Sequence, residues 1–388
     1  MKKNMFVIRW VSLIFSTILL SSCATSDKPP EPKTMSDPVA TVPSNQFRQF
    51  PAAHYHLSGW KNLPAWENDS LEQAWQSWQR SCQYFNKAAQ TPWQAICKES
   101  QQVNGSDKKA IKDFYEKNFQ VWEIRQARDQ NQYPKGSQEG LITGYYEPIL
   151  KGSLTRQGVY QTPLYKMPPS WYAAPSKVRP ARAELLQSGA LKGLEIAWVE
   201  DPVAAAFMQI QGSGKILLDN KKILRLGYAG TNNQTFVSYA QWLIQQKQMT
   251  YSQASMQAIS SWAKNNPTRV NEMLNVNPRF IFFKVLESTT SIQEGPIGSI
   301  GVPLTAGRSI AVDWQSIPRG APVYISTKDP QTSQPLQRLV FAQDTGSAIV
   351  GGVRADYFWG TGDLAGDTAG KMKQTGRMWV ILPASMFP

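Results

Sequence analysis

From Leu141 onward the chain is cut into short apolar runs by glycine and proline, and this punctuation limits the fold more than any other feature. Ile142 to Pro148, the alternating Phe207-Met208-Gln209-Ile210-Gln211, Lys215 to Leu218, Ile223 to Tyr228, Phe280 to Phe283 and Leu339 to Ala342 each have the length and the β-branched or aromatic content of a short strand. Runs this short, with turn residues between them, do not build a βαβ chain. They leave a mainly β fold with helices, a barrel or a sandwich. Gly212-Ser213-Gly214 falls between two such runs with no helix behind it, so it is no nucleotide loop. Helical segments interrupt the β texture between Ser238 and Leu274.

Upstream the pattern is different. Residues 1–22 have a basic start and an apolar run from Trp10 to Leu20, too short to span a bilayer, which reads as a signal peptide. Leu20-Ser21-Ser22-Cys23 resembles a bacterial lipobox. That resemblance makes Cys23 the lipidated first residue of the mature chain, and Ala24 beside it implies the outer membrane facing the periplasm. An ordinary signal peptide cut nearby is the alternative. Residues 23–45 are rich in Pro, Ser, Thr and Lys without periodicity and read as a flexible tether.

A capping box of Ser70 and Gln73 should open a helix with Leu71, Ala74, Trp75, Trp78, Cys82 and Phe85 on one face. Thr91-Pro92 opens a second, and a third runs from Ser106 to Phe119. Cys82 and Cys97 fall on neighbouring helices, where a disulfide and two buried thiols both fit. A β-rich stretch between helical ones reads as an inserted domain, 141–285, in a domain formed by 46–140 and 286–388.

The formal charge of the 388-residue chain is +13, and losing Lys2, Lys3 and Arg9 with the signal peptide leaves +10. Such a surface favours polyanions: nucleic acid, anionic lipid or an acidic glycan. The export signal removes the first of these. There are only two histidines, His54 and His56, and three cysteines with no close Cys/His grouping. A zinc site or a Ser/His/Asp triad is therefore not expected, no metal or cofactor is implied, and chemistry falls to carboxylates.

Phe341 to Gly370 holds the most suggestive of these. One apolar run delivers Asp344 into a Thr345-Gly346 turn. A second, Ala348-Ile349-Val350, breaks at Gly351-Gly352 and leads to Asp356 beside Tyr357, Phe358 and Trp359. Strand ends carrying carboxylates, with glycines that let a ligand approach the backbone, make a cleft floor. Asp313, after Ile310-Ala311-Val312, reads as a structural tie for a turn. Asp363 reads as a loop residue and Asp367 as the cap of a helix over 368–373, both near the cleft rim. Glu147 reaches the cleft or ends in an ion pair. Gln211, Ser213 and Lys215 alternate on one strand face, where they can bind sugar amides and hydroxyls, with Lys215 meeting a lactyl or peptide carboxylate. Asn232 and Asn233 have turn character, and Asn232 is also a candidate sugar contact.

Ala311-Val312-Asp313, Gln343-Asp344-Thr345-Gly346 and Arg354-Ala355-Asp356 together resemble the 3D domain, a double-psi β-barrel named for three aspartates. GYYEP (144–148), QIQGSGKI (209–216), GYAGTNNQ (227–234), NPRFIFF (277–283) and GPIGSIGVPLTAGRSIAVD (295–313) resemble the membrane-bound lytic murein transglycosylase A family. The resemblance covers about Leu141 to Pro383. It implies a second, inserted β-barrel with the substrate groove between the two. It implies cleavage of the β-1,4 bond from N-acetylmuramic acid to N-acetylglucosamine in peptidoglycan, without water, to 1,6-anhydromuramic ends.

Asp356 then takes the place of the single acid and base, and Asp344 that of a second cleft aspartate. Expected partners are glycan strands, the outer membrane through the lipid, and other cell-wall enzymes. A hydrolytic muramidase and a non-catalytic wall-binding lipoprotein are the competing readings. An aspartic protease would need two Asp-Thr/Ser-Gly turns, and this chain has one.

Overall fold

A computed structural model describes residues 47–87, 91–286 and 294–386; the signal peptide, the tether and Cys23 lie outside the described residues. The described part begins with strands β1 (Phe47–Gln49) and β2 (Ala53–Leu57) and helices α1 (Leu71–Phe85), α2 (Pro92–Ser100) and α3 (Lys108–Asn118), followed by β3 (Phe119–Gln126) and β4 (Gly140–Glu147). The middle holds β5 (Ile149–Ser153), β6 (Thr162–Tyr165), α4 (Arg182–Gln187), β7 (Glu195–Val199), α5 (Pro202–Gln211), β8 (Gly214–Leu218) and β9 (Ile223–Thr231). Helices α6 (Tyr239–Gln245), α7 (Met256–Asn265) and α8 (Val270–Asn275) and strand β10 (Ile281–Leu286) complete it. The C-terminal part has β11 (Ser309–Val312), β12 (Pro322–Lys328), β13 (Pro335–Asp344), β14 (Arg354–Thr361), α9 (Asp363–Ala369) and β15 (Lys373–Pro383).

Among the described residues, β4, β14, β11, β13, β12 and β15 hydrogen-bond in that order, and β15 returns to β4 to close a barrel. The pairings β4–β14 and β11–β13 are parallel and the rest antiparallel. This is the mixed, closed β architecture that the double-psi resemblance implied. The far half of β15 pairs with β3, so β1, β2 and β3 extend the sheet outward. A second sheet runs β10-β9-β8-β5-β7-β6, and a bridge between Lys166 and Phe283 draws its outer strands together.

Period two decides the two faces of the first barrel. Ile142, Ile310, Val312, Ala355 and Tyr357 point into its core, which is continuous with the aromatic side chains of the helices. There Trp75 and Trp78 of α1 meet Phe114 and Tyr115 of α3 edge-on or tilted. Cys82 and Cys97 are joined by a disulfide that ties α1 to α2. Arg308 is buried against Asp69 at 2.9 Å and donates to the carbonyls of Leu339 and Ser70, fixing the start of α1 to the barrel.

Several elements differ from the sequence reading. Phe207 to Gln211 belongs to helix α5, not to a strand: Asp201 caps it through the amides of Val203 and Ala204, and Gly212 ends it at φ 80°. Ser70 makes no side-chain cap on α1, and Gln73 instead accepts from Arg308 at 3.4 Å. The α2 capping box of Thr91 and Gln94 does form. Helix α9 starts at Asp363, so Asp367 lies inside it and caps nothing. Strand β4, at the start of the 141–285 stretch, pairs with β14 and β15 of the first barrel, and the change of sheet falls at Pro148.

Candidate active site

The outward face of the barrel carries the carboxylates, and strand register explains why they meet. Ala311 on β11 stands opposite Asp344 on β13 and opposite Asp356 on β14; Asp356 in turn stands opposite Thr143 on β4. In-register neighbours share a face, so Asp344, Ala311, Asp356 and Thr143 form one row across four strands. Strand spacing sets the two aspartate backbones about 9–10 Å apart. Two residues along, Tyr145 and Phe358 share this face and pack at 5.2 Å. With Leu304, Ala311 and Ile349 they make an apolar floor beneath the carboxylates.

Asp344 ends β13, as the sequence indicates, but Asp356 is the third residue of β14 rather than a strand terminus. The Ala348-Ile349-Val350 run is not a strand; Ile349 is buried in the floor and Val350 is exposed. Of the three aromatic residues beside Asp356 only Phe358 shares its face. Tyr357 and Trp359 point the other way and pack together at 4.9 Å.

Each carboxylate has its own donors. Thr143 Oγ1 donates to Asp356 Oδ1 at 2.7 Å. Tyr145 Oη donates to Asp344 Oδ2 at 3.0 Å, while the backbone amide and hydroxyl of Ser299 both donate to Asp344 Oδ1. Burial pushes the Asp356 carboxyl above the usual carboxylate range and the charge of Asp344 adds to it, against Arg354 and the Thr143 hydrogen bond. Burial also raises Asp344, opposed by Ser299, Thr345 and Tyr145. Burial and both aspartates push the Tyr145 hydroxyl well up, so it stays a donor.

The loop that brings Ser299 over the site is held close. Gly298 has no side chain because a Cβ there would lie 2.6 Å from the Gln343 carbonyl. Arg80 of α1 donates to Leu304 O and Thr305 Oγ1 on the same loop.

The remaining candidates are placed apart from this row. Asp313 follows β11 and accepts from the amides of Gln315 and Gly351, closing the turn that leads to β14. Glu147 is buried and paired with Lys215 Nζ at 2.9 Å, and Thr361 also donates to it. Lys215 is fully buried on β8 and donates to the Glu294 carbonyl as well, so it offers no surface to a ligand carboxylate. Gln211 ends α5 and accepts from the Tyr146 amide. Ser213 is half-buried between α5 and β8, so these three do not share a strand face. Asn232 is buried and spans the carbonyls of Pro180 and Pro278 and the amide of Phe280, a structural clamp. Asp363 is exposed at the start of α9. Among the described residues no group of three or more His, Cys, Asp or Glu side chains is placed to hold a metal ion.

Residues 141–284 match the MltA specific insert domain and residues 308–382 match the 3D domain. A membrane-bound lytic murein transglycosylase A of Vibrio cholerae is 33% identical over 258 residues, 63% of this chain and 67% of that protein. The chain belongs to the membrane-bound lytic murein transglycosylase A family. Among solved structures it is similar to the lytic transglycosylase LtgG of Burkholderia pseudomallei, with 46% identity, a TM-score of 0.61, and 87% of this chain and 97% of that one covered. It is also similar to E. coli MltA with bound chitohexaose, with 25% identity, a TM-score of 0.67, and 87% and 96% covered.

Within this transglycosylase A fold, sequence reasoning missed Thr143, Tyr145 and Ser299 as the groups that hold the carboxylates, and Arg80 as an anchor of the loop that carries Ser299. The first two had a signal: alternation in the GYYEP strand places Thr143 and Tyr145 on one face. Ser299 and Arg80 had none, because only the closed fold brings a loop to Asp344 and a helix to that loop.

Proposed function

We propose that this chain is a lytic murein transglycosylase that cuts the β-1,4 bond between N-acetylmuramic acid and N-acetylglucosamine, with Asp356 as acid and then base. The observation that carries the reading is the Asp356 carboxyl: desolvated, raised in pKa by burial first, and, among the described residues, bonded through Oδ1 alone to a hydroxyl donor. Since Thr143 donates to Oδ1, a proton on the acid sits on Oδ2, which is the oxygen left to protonate a leaving group. A glycosidic oxygen leaves poorly without such a proton.

As the bond from the anomeric carbon breaks, the Oδ2 proton passes to the departing oxygen. The muramoyl 6-hydroxyl then attacks the anomeric carbon, and its proton returns to the Asp356 carboxylate. The attack is intramolecular and has the advantage of proximity over a diffusing water. The donors at Asp344 favour its ionised form against burial, and its charge can steady the positive anomeric centre. The relative bound to chitohexaose supports a glycan-strand substrate. We further assign membrane attachment to a lipid on Cys23, at the outer membrane with the tether spanning 23–45. Relatives are named membrane-bound, and no helix of the described residues is long and apolar enough to cross a bilayer.

Mass analysis of muropeptides released from purified sacculi tests the reaction. Anhydromuramic products without added water are expected; reducing ends would replace the reading with a hydrolytic muramidase.

A further inference from the structure

Where β15 leaves the barrel to pair with β3, its outward face carries a polar cavity that the cleavage reaction does not use. Its volume is about 390 Å³, and His56, Asn62, Glu123, Arg125, Arg377 and Trp379 line it. Register assembles it: Glu123 on β3 stands opposite His56 on β2 and opposite Trp379 on β15. Arg125 and Arg377 lie two residues along their strands on the same face.

Glu123 is shared between the two arginines. Its Oε2 accepts from Arg125 Nε and Nη2 at 3.1 and 3.0 Å, and its Oε1 accepts from Arg377 Nη2. The Arg377 guanidinium also stacks 4.9 Å from the Trp379 ring centroid. One carboxylate therefore orders two guanidiniums and neutralises one of them. Burial and the charge of Arg125 push His56 below the usual imidazole range, with Glu123 opposing, so at neutral pH it is a neutral hydrogen-bonding wall rather than a third cation.

What remains is a single positive charge with oriented N–H groups, a neighbouring amide and an aromatic wall. Arg377 is 42% exposed, so the charge is open to a ligand. A monoanion fits this balance; a dianionic phosphate would set its second charge against Glu123. A flat carboxylate matches the guanidinium fork.

We propose that this cavity binds the terminal carboxylate of the stem peptide attached to the glycan, which rests on the peptidoglycan reading above. Reach supports that occupant. Lys373 on β15 is level with Thr143, which is level with Asp356, and Arg377 lies four residues further on the same face. Strand spacing and rise put Arg377 about 16 Å from Asp356 over the barrel surface. An extended peptide of four or five residues spans about 13–18 Å. A peptide hanging from the sugar held at Asp356 is therefore long enough to reach the cavity.

The test is calorimetric titration of the Asp356→Asn protein, which does not consume its ligand, with a murein tetrapeptide bearing a free C-terminal carboxyl and with its C-terminal amide. The acid should bind at least tenfold more tightly than the amide, and Arg377→Gln should remove that preference. Asn62→Asp, which sets a like charge at the cavity without touching the Glu123–arginine pairs, should do the same if Arg377→Gln fails to fold. In the otherwise intact enzyme, Arg377→Gln should raise KM on peptide-bearing glycan at least fivefold relative to peptide-free strands. Equal binding of acid and amide, or a preference that survives both substitutions, overturns the proposal. Failure of the unsubstituted enzyme to release anhydromuramic products from sacculi would instead overturn the catalytic reading, and the titration would still report on the cavity.

Discussion

At Asp356 the demands of chemistry and of folding pull against each other. Its folded-state pKa is raised, mainly by burial. For a carboxyl raised in the folded state, the stabilising contribution is full below the unfolded value of about 3.9 and is lost as pH rises through the folded value. At neutral pH an ionised Asp356 therefore works against the fold, while the protonated form is the one that cleaves. Asp356→Asn should lower cleavage by about 10²–10⁴-fold, the usual worth of a general acid. Its melting temperature at pH 7 should be equal to or above that of the parent, with the gain shrinking toward pH 4. A melting temperature that falls at pH 7 would show that the carboxylate holds the barrel together instead. Asp344→Ala should slow the reaction less; equal losses would mean the two titrate as a coupled pair. Thr143→Val removes a donor that favours the ionised acid, so the alkaline fall of the rate profile should move to higher pH. A profile unmoved by Thr143→Val would break the link between that hydrogen bond and the working acid.

The elements were legible where one face is buried and one is wet. Helices α1 to α3 follow from periodicity, while the strands that bring Asp313 and Asp344 to their turns are buried on both faces and were legible only as short apolar runs. Helix α5 did not, because it is apolar on nearly all sides: Ala205 and Met208 pack into the core of the second sheet while Val203, Ala206 and Phe207 pack among α6 to α8. A helix buried on both sides has little periodicity to read. Its Asp201-Pro202 start and Gly212 stop were the available signals. The Ala348-Ile349-Val350 run failed as a strand for the opposite reason, since Ile349 supplies a side chain to the site floor and no ladder. The α1–α2 disulfide adds a prediction. It closes a separation of 15 residues, worth about 3 kcal/mol by loop entropy. Reduction should lower the melting temperature by a few degrees while an enzyme held well below that temperature keeps its turnover. Loss of turnover on reduction without unfolding would tie α1, through Arg80 and the Ser299 loop, to the chemistry itself.

Across the whole molecule, the two sheets are joined where few residues were expected to matter. Glu147 ends the last barrel strand before the second sheet, and Lys215 is the second residue of β8, the strand paired in parallel with β5. Their ion pair is almost without solvent, with side chains 2% and 0% exposed. Gln211 on the Tyr146 amide and Gln257 on Asp367 add contacts between α5 or α7 and the first barrel. Sequence reasoning placed Lys215 as a ligand contact, because charged residues near a cleft usually face water, and left Glu147 between the cleft and an ion pair. Here the closed sheets bury both, and each becomes the other's solvent. Removing one partner of such a pair leaves an uncompensated charge, which costs about 3–5 kcal/mol, whereas replacing both by uncharged groups of similar volume is often nearly neutral. Lys215→Met should therefore shift the urea midpoint sharply downward, and Glu147→Gln combined with Lys215→Met should recover much of the loss. The double variant should still raise KM for glycan more than it lowers kcat, because the pair sets how the second sheet stands beside the Asp344–Asp356 row without touching the reacting bond. A double variant as unstable as Lys215→Met alone would mean that this junction depends on the charges themselves, with Glu294 and Arg225 drawn into one network.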